Sequence, residues 1–398
     1  MAKHEKKDEK SKIILFCQGG AGDVLAHTPM IRYFRNKYPD DEIVVLSTYS
    51  QLLEHNPNID LLVPLKTPKD FYSEHVFTKN VRFFKKHFVY DGIMDEPARG
   101  CTCLPEFICK MYGAEYDGKP LDYFITDYEN RAAQVFMGQY KFLNAPLVLL
   151  HCTGAIPSDG DFNKTNTLKD LNIELANGLV DKHKDHILFI HIGLEGEPKV
   201  NGAVDALGMQ MREAIALFTL ADSYIIIESL FAHCTNALNT NGIVVFQNTS
   251  PEFFGYPNNY NASWNGGCKD WPCNRPCGAL LDLSPGYRNP KTRDRLLWEC
   301  PDQVCAKIPL ENLSKLLVES LETKKEKGNP ELEAARATVP PPEKFSTIDS
   351  PSFGKVIAGD ANLAEQPALE LKEKPEEKPE EPPEEPPKKK KKKKKDKK

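Results

Sequence analysis

The chain has 398 residues, with 52 basic and 57 acidic side chains and a formal net charge of −5. That length suffices for two ordinary domains with a sizeable core, and an apolar content of 40 % is normal for a globular protein. No run of about 18 apolar residues exists to form a membrane-spanning helix, and the charged first ten residues lack the apolar segment of a usual secretion signal.

Met1 to Ser11 reads as a disordered polar arm. Ile13 to Cys17 is a short apolar run, read as a buried strand, and it leads into Gly19-Gly20-Ala21-Gly22-Asp23. Val24, Leu25, Ile31, Phe34 and Tyr38 then recur at helical spacing, and Glu42 to Leu46 forms a second strand. A parallel sheet builds its ligand sites in such strand-to-helix loops. As a dinucleotide fingerprint the loop is incomplete. Gly20 and Gly22 fit its first two glycines, but Leu25 stands at the third, and Ser47-Thr48-Tyr49 replaces the ribose-binding acid. A second reading makes Asp23 a carboxylate at the crevice that accepts a proton from a molecule approaching the glycines. A third leaves Asp23 as a helix cap.

Further along, Ser73 to Val89 has helical character, Tyr90 to Met94 is a possible strand, and Cys101 to Met111 reads as a helix. Leu121 to Phe124 leads towards a second domain. Pro146 to His151 restarts the pattern as a strand, followed by alternating elements. They are the helix 173–182, strand 186–192, helix 211–220, strand 224–227, helix 232–238 and strand 242–246. Glu311 to Leu321 is a closing amphipathic helix. The expected fold is α/β, with two Rossmann-like domains facing a cleft: 12–142 and 143–328. The Pro/Glu/Lys-rich stretch 329–398 is expected to be disordered.

The eleven cysteines are not arranged like a small secreted disulfide scaffold, which points to a reducing, cytoplasmic setting. Within the segment 264–306, Cys273, Cys277, Cys300 and Cys305 form two short thiol pairs, with Cys268 as an alternative ligand. Such pairs suit a structural zinc or iron ion, and free thiols or disulfides are the competing readings. The lysine run Lys388 to Lys395 is either a solvated end or a contact for an anionic membrane surface. Its lysine-rich end has no aromatic residues for base stacking, so nucleic acid is not expected as a partner.

The opening residues Gly-Gly-Ala-Gly-Asp-Val-Leu-Ala-His-Thr-Pro-Met-Ile-Arg-Tyr-Phe, then Tyr-Pro-Asp and Glu-Ile-Val-Val-Leu, resemble the start of glycosyltransferase family 9. That family contains the ADP-heptose:lipopolysaccharide heptosyltransferases. Leu52-Leu53-Glu54-His55-Asn56-Pro57-Asn58-Ile59-Asp60 continues the likeness, which covers most of the chain to about Leu317.

The resemblance implies a GT-B architecture and an inverting enzyme whose base is Asp23. It also implies donor contacts. Glu228, Ser229 and His233 fall on the family's Asp-[Ser/Thr]-Gly-x-x-His motif, with Glu for Asp and Leu230 for the glycine. A helix start there would suit a diphosphate, and a capped helix with a packed histidine is the bland reading. His151-Cys152-Thr153-Gly154-Ala155 resembles the family's phosphate loop. Lys164 falls where the family places a lysine, which would offset charge on the leaving diphosphate. Gly208 to Glu213 resembles the segment before the donor helix. No Asp-x-Asp pair stands near the first glycine loop, Gly19 to Asp23, and no catalytic metal is expected. In the branch that heptosylates autotransporter proteins, a similar cysteine segment binds iron. The acceptor is therefore expected to be a glycan or a protein hydroxyl. Another class of reading, motivated by Glu228 and Leu230, is a metal-stabilised binding protein that has lost catalysis.

Overall fold

The computed structural model describes residues 11–65, 71–78, 80–86, 100–140, 145–154, 171–247, 249–267, 305 and 307–327. All of them fall within one compact unit. The segments 90–94 and 329–398, Lys164, Cys268, Cys273, Cys277 and Cys300 lie outside the described residues.

Two parallel sheets carry the structure. The first has the order β3-β2-β1-β4, built from β1 (Lys12–Cys17), β2 (Glu42–Ser47), β3 (Leu61–Pro64) and β4 (Val81–Phe84). Helices α1 (Ala21–Ala26) and α2 (Thr28–Lys37) follow β1 and are separated at His27. Thr28 caps that joint through its hydroxyl, which donates to Leu25 O at 2.8 Å, and Pro29 suits the first turn of the new helix. Helices α3 (Leu104–Met111) and α4 (Asp127–Gly138) complete this part.

The second sheet runs β10-β9-β8-β5-β6-β7. Its strands are β5 (Leu147–His151), β6 (Leu188–Gly193), β7 (Val204–Leu207), β8 (Ser223–Ile227), β9 (Ile243–Phe246) and β10 (Tyr260–Ser263). Its helices are α5 (Ile173–His183), α6 (Met211–Leu217), α7 (Leu230–Ala237), α8 (Pro251–Phe254) and α9 (Leu310–Lys327). The central strands β5 and β8 are buried along their whole length. Both faces of a parallel sheet are covered by helices, so such strands read as unbroken apolar runs rather than alternating ones.

One apolar core, with Ile13, Leu15, Leu25, Ile31, Phe107, Leu149, Ile190, Phe218 and Ile226, runs between the two sheets without interruption. A second fills the outer face of the larger sheet, where Leu313 and Leu317 of α9 meet Leu179 and Val180 of α5. A third, with Ile14, Phe16, Val44 and Leu46, covers the outer face of the smaller sheet. Among the described residues no helix is long and apolar enough to cross a membrane.

Two differences from the sequence reading have clear causes. The stretch read as a helix from Ser73 onward holds only one wide turn, Tyr72–Val76, before β4. Asn80 has a left-handed backbone, φ 60°, which ends any helix there. Val81 to Phe84 then pair with Lys12 to Leu15 of β1, and strand pairing outweighs the helical spacing. Helix α4 was not anticipated, although Thr126-x-x-Glu129 is a capping box. Glu129 N donates to Thr126 Oγ1 at 3.2 Å, and Thr126 N donates to Glu129 Oε2 at 2.8 Å.

Three buried histidines link this core to pH. Burial pushes His27 down to about 4, and His191 likewise to about 4. Burial and the neighbouring His191 push His151 down to about 3. All three are neutral in the folded protein at pH 5, whereas unfolded histidines near pKa 6.5 take up protons. The unfolded chain thus binds more protons, and stability contributed above pH 6.5 is lost progressively as pH falls towards 4. The expected loss at pH 5 is about 2 kcal/mol per histidine. Urea midpoints at pH 7 and pH 5 check it; equal midpoints would show that the histidines stay solvated.

Candidate active site

In a doubly wound sheet, ligands gather at the carboxyl ends of strands where the strand order reverses. In the smaller sheet that point lies between β1 and β4, so the loop after β1 occupies it. In the larger sheet it lies between β5 and β8, so the loops after these two strands occupy it. These are the segments Gly19–Asp23, Cys152–Gly154 and Glu228–Leu230. Helix α1, which follows the first, packs against α7, which follows the last.

The contact has a defined shape. A Cβ on Gly22 would stand 2.5 Å from Cδ2 and 2.8 Å from Nε2 of His233. Glycine at this position therefore makes room for an imidazole from the other sheet. Gly19 serves the turn itself. Its φ of 124° is left-handed, and a Cβ there would meet the Asp23 carboxylate at 2.6 Å. Gly20 contributes its amide, which donates to Asp23 Oδ2 at 2.7 Å.

Asp23 itself is only 5 % exposed. The sequence reading has its carboxylate facing the crevice at the rim of the first sheet; in the structure it is buried in the first turn of α1, the helix that packs against α7. The bond from Gly20 fastens it at the third position of α1, which is the capping alternative made concrete. His27 Nδ1 donates to the Asp23 carbonyl at 2.6 Å and fixes the next turn.

On the other side, Glu228 is buried, and its carboxylate accepts from Thr249 Oγ1 at 3.1 Å. Ser229 Oγ lies 3.4 Å from His151 Nδ1. The His151 ring meets Phe231 edge-on at 4.7 Å. Thr153 is partly exposed just past β5. Glu228, Ser229, His233, His151 and Thr153 thus share one end of the larger sheet, and His233 reaches across to Gly22. Lys164 cannot be placed among them, being outside the described residues.

Solved structures share this arrangement of two sheets. A crystal structure described as glycosyl transferase family 9 from Veillonella parvula superposes with a TM-score of 0.54, over 79 % of this chain and 98 % of that chain, at 14 % sequence identity. The fold is that of the glycosyltransferase family 9 structure. The iron-containing dodecameric glycosyltransferase TibC from enterotoxigenic E. coli gives a TM-score of 0.50 over 81 % of each chain, also at 14 % identity. No family model and no curated protein sequence matches the chain.

Within this fold, several polar groups escaped the sequence reading. Tyr256, after α8, has its hydroxyl 2.6 Å from His233 Nδ1. Tyr116, Cys103 and Glu228 come close enough to act on Tyr256 electrostatically. Burial holds the Tyr256 phenol far above its ordinary pKa, so it stays protonated. No motif spacing marks these residues, because they come from four separate segments. Arg212, noted only within Gly208 to Glu213, ties the two sheets together through Glu129 and the carbonyls of Gln51 and Phe124.

Among the described residues no cluster of three or more His, Cys, Asp or Glu could hold a metal ion. Cys305 is buried, and the other four cysteines of its segment lie outside the described residues.

The closeness of Gly22 to His233 carries its own expected result. Gly22→Ala pushes a methyl into the imidazole and should destabilise the fold by about 1–3 kcal/mol. Combining it with His233→Ala should recover a good part of that loss, a coupling typical of residues in contact. Chemical denaturation of the two single variants and the double variant checks it; simple additivity would mean that the two positions do not touch in solution.

Proposed function

We propose that the chain is an inverting glycosyltransferase that takes a sugar from a nucleotide-diphosphate donor, in keeping with its fold. The observation that carries this reading is the meeting of the two switch points at one seam. It sets Gly22, the residue before Asp23, against His233 of α7. The second sheet holds the donor through Thr153, Lys164, Ser229, His233 and the amino end of α7, where backbone N–H groups suit a diphosphate. Gly20 and Gly22 shape the loop that presents Asp23.

Asp23 takes the proton of the acceptor hydroxyl as its oxygen forms the new bond to the anomeric carbon. The bond from that carbon to phosphate oxygen breaks on the opposite face, and the nucleoside diphosphate leaves with the electron pair. Lys164 and the helix dipole offset the negative charge that develops. Because Asp23 is buried and α1 packs against α7, acceptor entry requires the two helices to part. Catalytic hydrogen bonds often tighten only in the productive complex, so the ligand-free geometry is compatible with this role.

By resemblance the sugar is heptose from ADP-heptose. The acceptor is a lipopolysaccharide core-type glycan or, as in the autotransporter branch, a protein hydroxyl. The setting is cytoplasmic, with the Lys388 to Lys395 run drawing the protein to an anionic inner membrane face. Cys268, Cys273, Cys277, Cys300 and Cys305 supply enough soft thiolates for a structural zinc or iron ion, which elemental analysis of the purified protein decides. A second reading, a binding protein without turnover, is favoured by Glu228, whose carboxylate is engaged with Thr249 inside its own lobe.

Calorimetry with ADP-heptose and other nucleotide sugars, followed by an assay for released nucleoside diphosphate, separates the two. Binding with release supports transfer. Binding without release supports the second reading, and no binding removes both.

A further inference from the structure

We propose that Tyr256 is a positioning residue that locks His233 in one tautomer, with its proton on Nε2 and facing the first turn of α1. The functional consequence rests on the transferase reading above; the tautomer itself does not.

Tyr256 is 6 % exposed and His233 is 4 % exposed, so neither side chain can turn to water for a partner. A buried phenol must donate its proton to something, at a cost of about 1–3 kcal/mol if it does not. The Tyr256 hydroxyl lies 2.6 Å from His233 Nδ1, and the rings meet edge-on with centroids 5.6 Å apart. The phenol stays protonated because burial raises it far above its ordinary pKa. Donation from the phenol makes Nδ1 the acceptor. In a neutral imidazole the proton then resides on Nε2.

That nitrogen points across the seam. A Cβ on Gly22 would lie 2.8 Å from it, one residue before Asp23. The bond to Tyr256 therefore has a directional effect. It presents an N–H donor at the junction of the two sheets and prevents the ring from offering a lone pair there. In a transferase this donor meets the oxygens of the departing diphosphate once α1 and α7 part, where charge grows as the glycosidic bond breaks. Without the phenol the two tautomers become comparable in energy, and the donor is present for only part of the time.

The test uses the full chain labelled with 15N-histidine, with the His233 signal assigned by its loss in His233→Asn. The wild type is expected to show the Nε2–H pattern of nitrogen shifts, and Tyr256→Phe is expected to show a mixture. An Nδ1–H pattern in the wild type overturns the proposal, whether or not Tyr256→Phe folds. If the variant folds and its His233 pattern is unchanged, the proposal is also overturned. In the turnover assay Tyr256→Phe should lower kcat about tenfold while KM changes less than about twofold, because the donor acts on developing charge. A merely structural role would lower the melting temperature without this division between kcat and KM. If the wild type turns over no nucleotide sugar, the transferase reading fails while the nitrogen shifts still decide the tautomer.

Discussion

Replacing Asp23 by Asn should lower sugar transfer by about 100- to 10,000-fold and leave the fold almost as stable as before. The rate estimate is the usual contribution of a positioned general base. The stability estimate follows from the geometry. Asparagine retains a carbonyl oxygen, so the bond from the Gly20 amide at 2.7 Å survives in kind. The negative charge lost at the amino end of α1 is worth about 0.3–1 kcal/mol. The capping role and the catalytic role therefore predict different results. If Asp23 only caps, Asp23→Asn has a slightly lower melting temperature and wild-type turnover. If it is the base, stability barely changes and turnover collapses. Initial rates of nucleoside diphosphate release, with acceptor present, make the distinction; equal turnover in the two proteins would end the base assignment.

Removing the Arg212 side chain should cost about 3–5 kcal/mol of folding stability, the range for breaking one partner out of a buried ion pair. The Arg212 and Glu129 side chains are 11 % and 10 % exposed. Burial pushes the Glu129 carboxyl up, but its bonds from Arg212 and from the Thr126 amide bring it below the ordinary value. The guanidinium also donates to Gln51 O at 2.6 Å and to Phe124 O at 2.7 Å. A single side chain on α6 of the larger sheet thus holds α4, the turn after β2 and the connection before α4. Its plane also lies 4.9 Å from the centre of the Tyr123 ring. Arg212→Met leaves Glu129 charged and unpaired and frees two carbonyls. The double variant Arg212→Met/Glu129→Leu should recover much of the loss, since no unpaired buried charge remains. Guanidinium denaturation of both proteins reads the effect. A loss under 1 kcal/mol for Arg212→Met would mean that the strap is solvated and the sheets are held by apolar packing alone.

How much of this was legible in the sequence differs by residue. The apolar runs at Ile13–Cys17, Leu147–His151 and Ile243–Phe246 announce buried parallel strands, because each is covered on both faces and has no polar side to show. The glycines of Gly19 to Asp23 mark a strand-to-helix loop that another molecule can approach closely, while the left-handed backbone of Gly19 emerges only in the structure. The capping box at Thr126 was equally local, and its signal was present in the four residues that make it. By contrast, Val81 to Phe84 has the composition of a strand inside a helical spacing, and only its pairing with β1 decides between them.

The composition and local order of the chain by themselves determined the α/β class, the strand–loop–helix frame and the place of the first glycine loop. Such features depend on neighbours within a few positions, where steric limits and periodicity act directly. The tertiary structure alone decided why Gly22 is glycine, which way the His233 ring faces, that Arg212 bridges two sheets, and that Asp23 lies covered rather than open. These depend on atoms from distant segments arriving within about 3 Å, and hydrogen bonds and close packing are sensitive at that range to placements that no local pattern encodes.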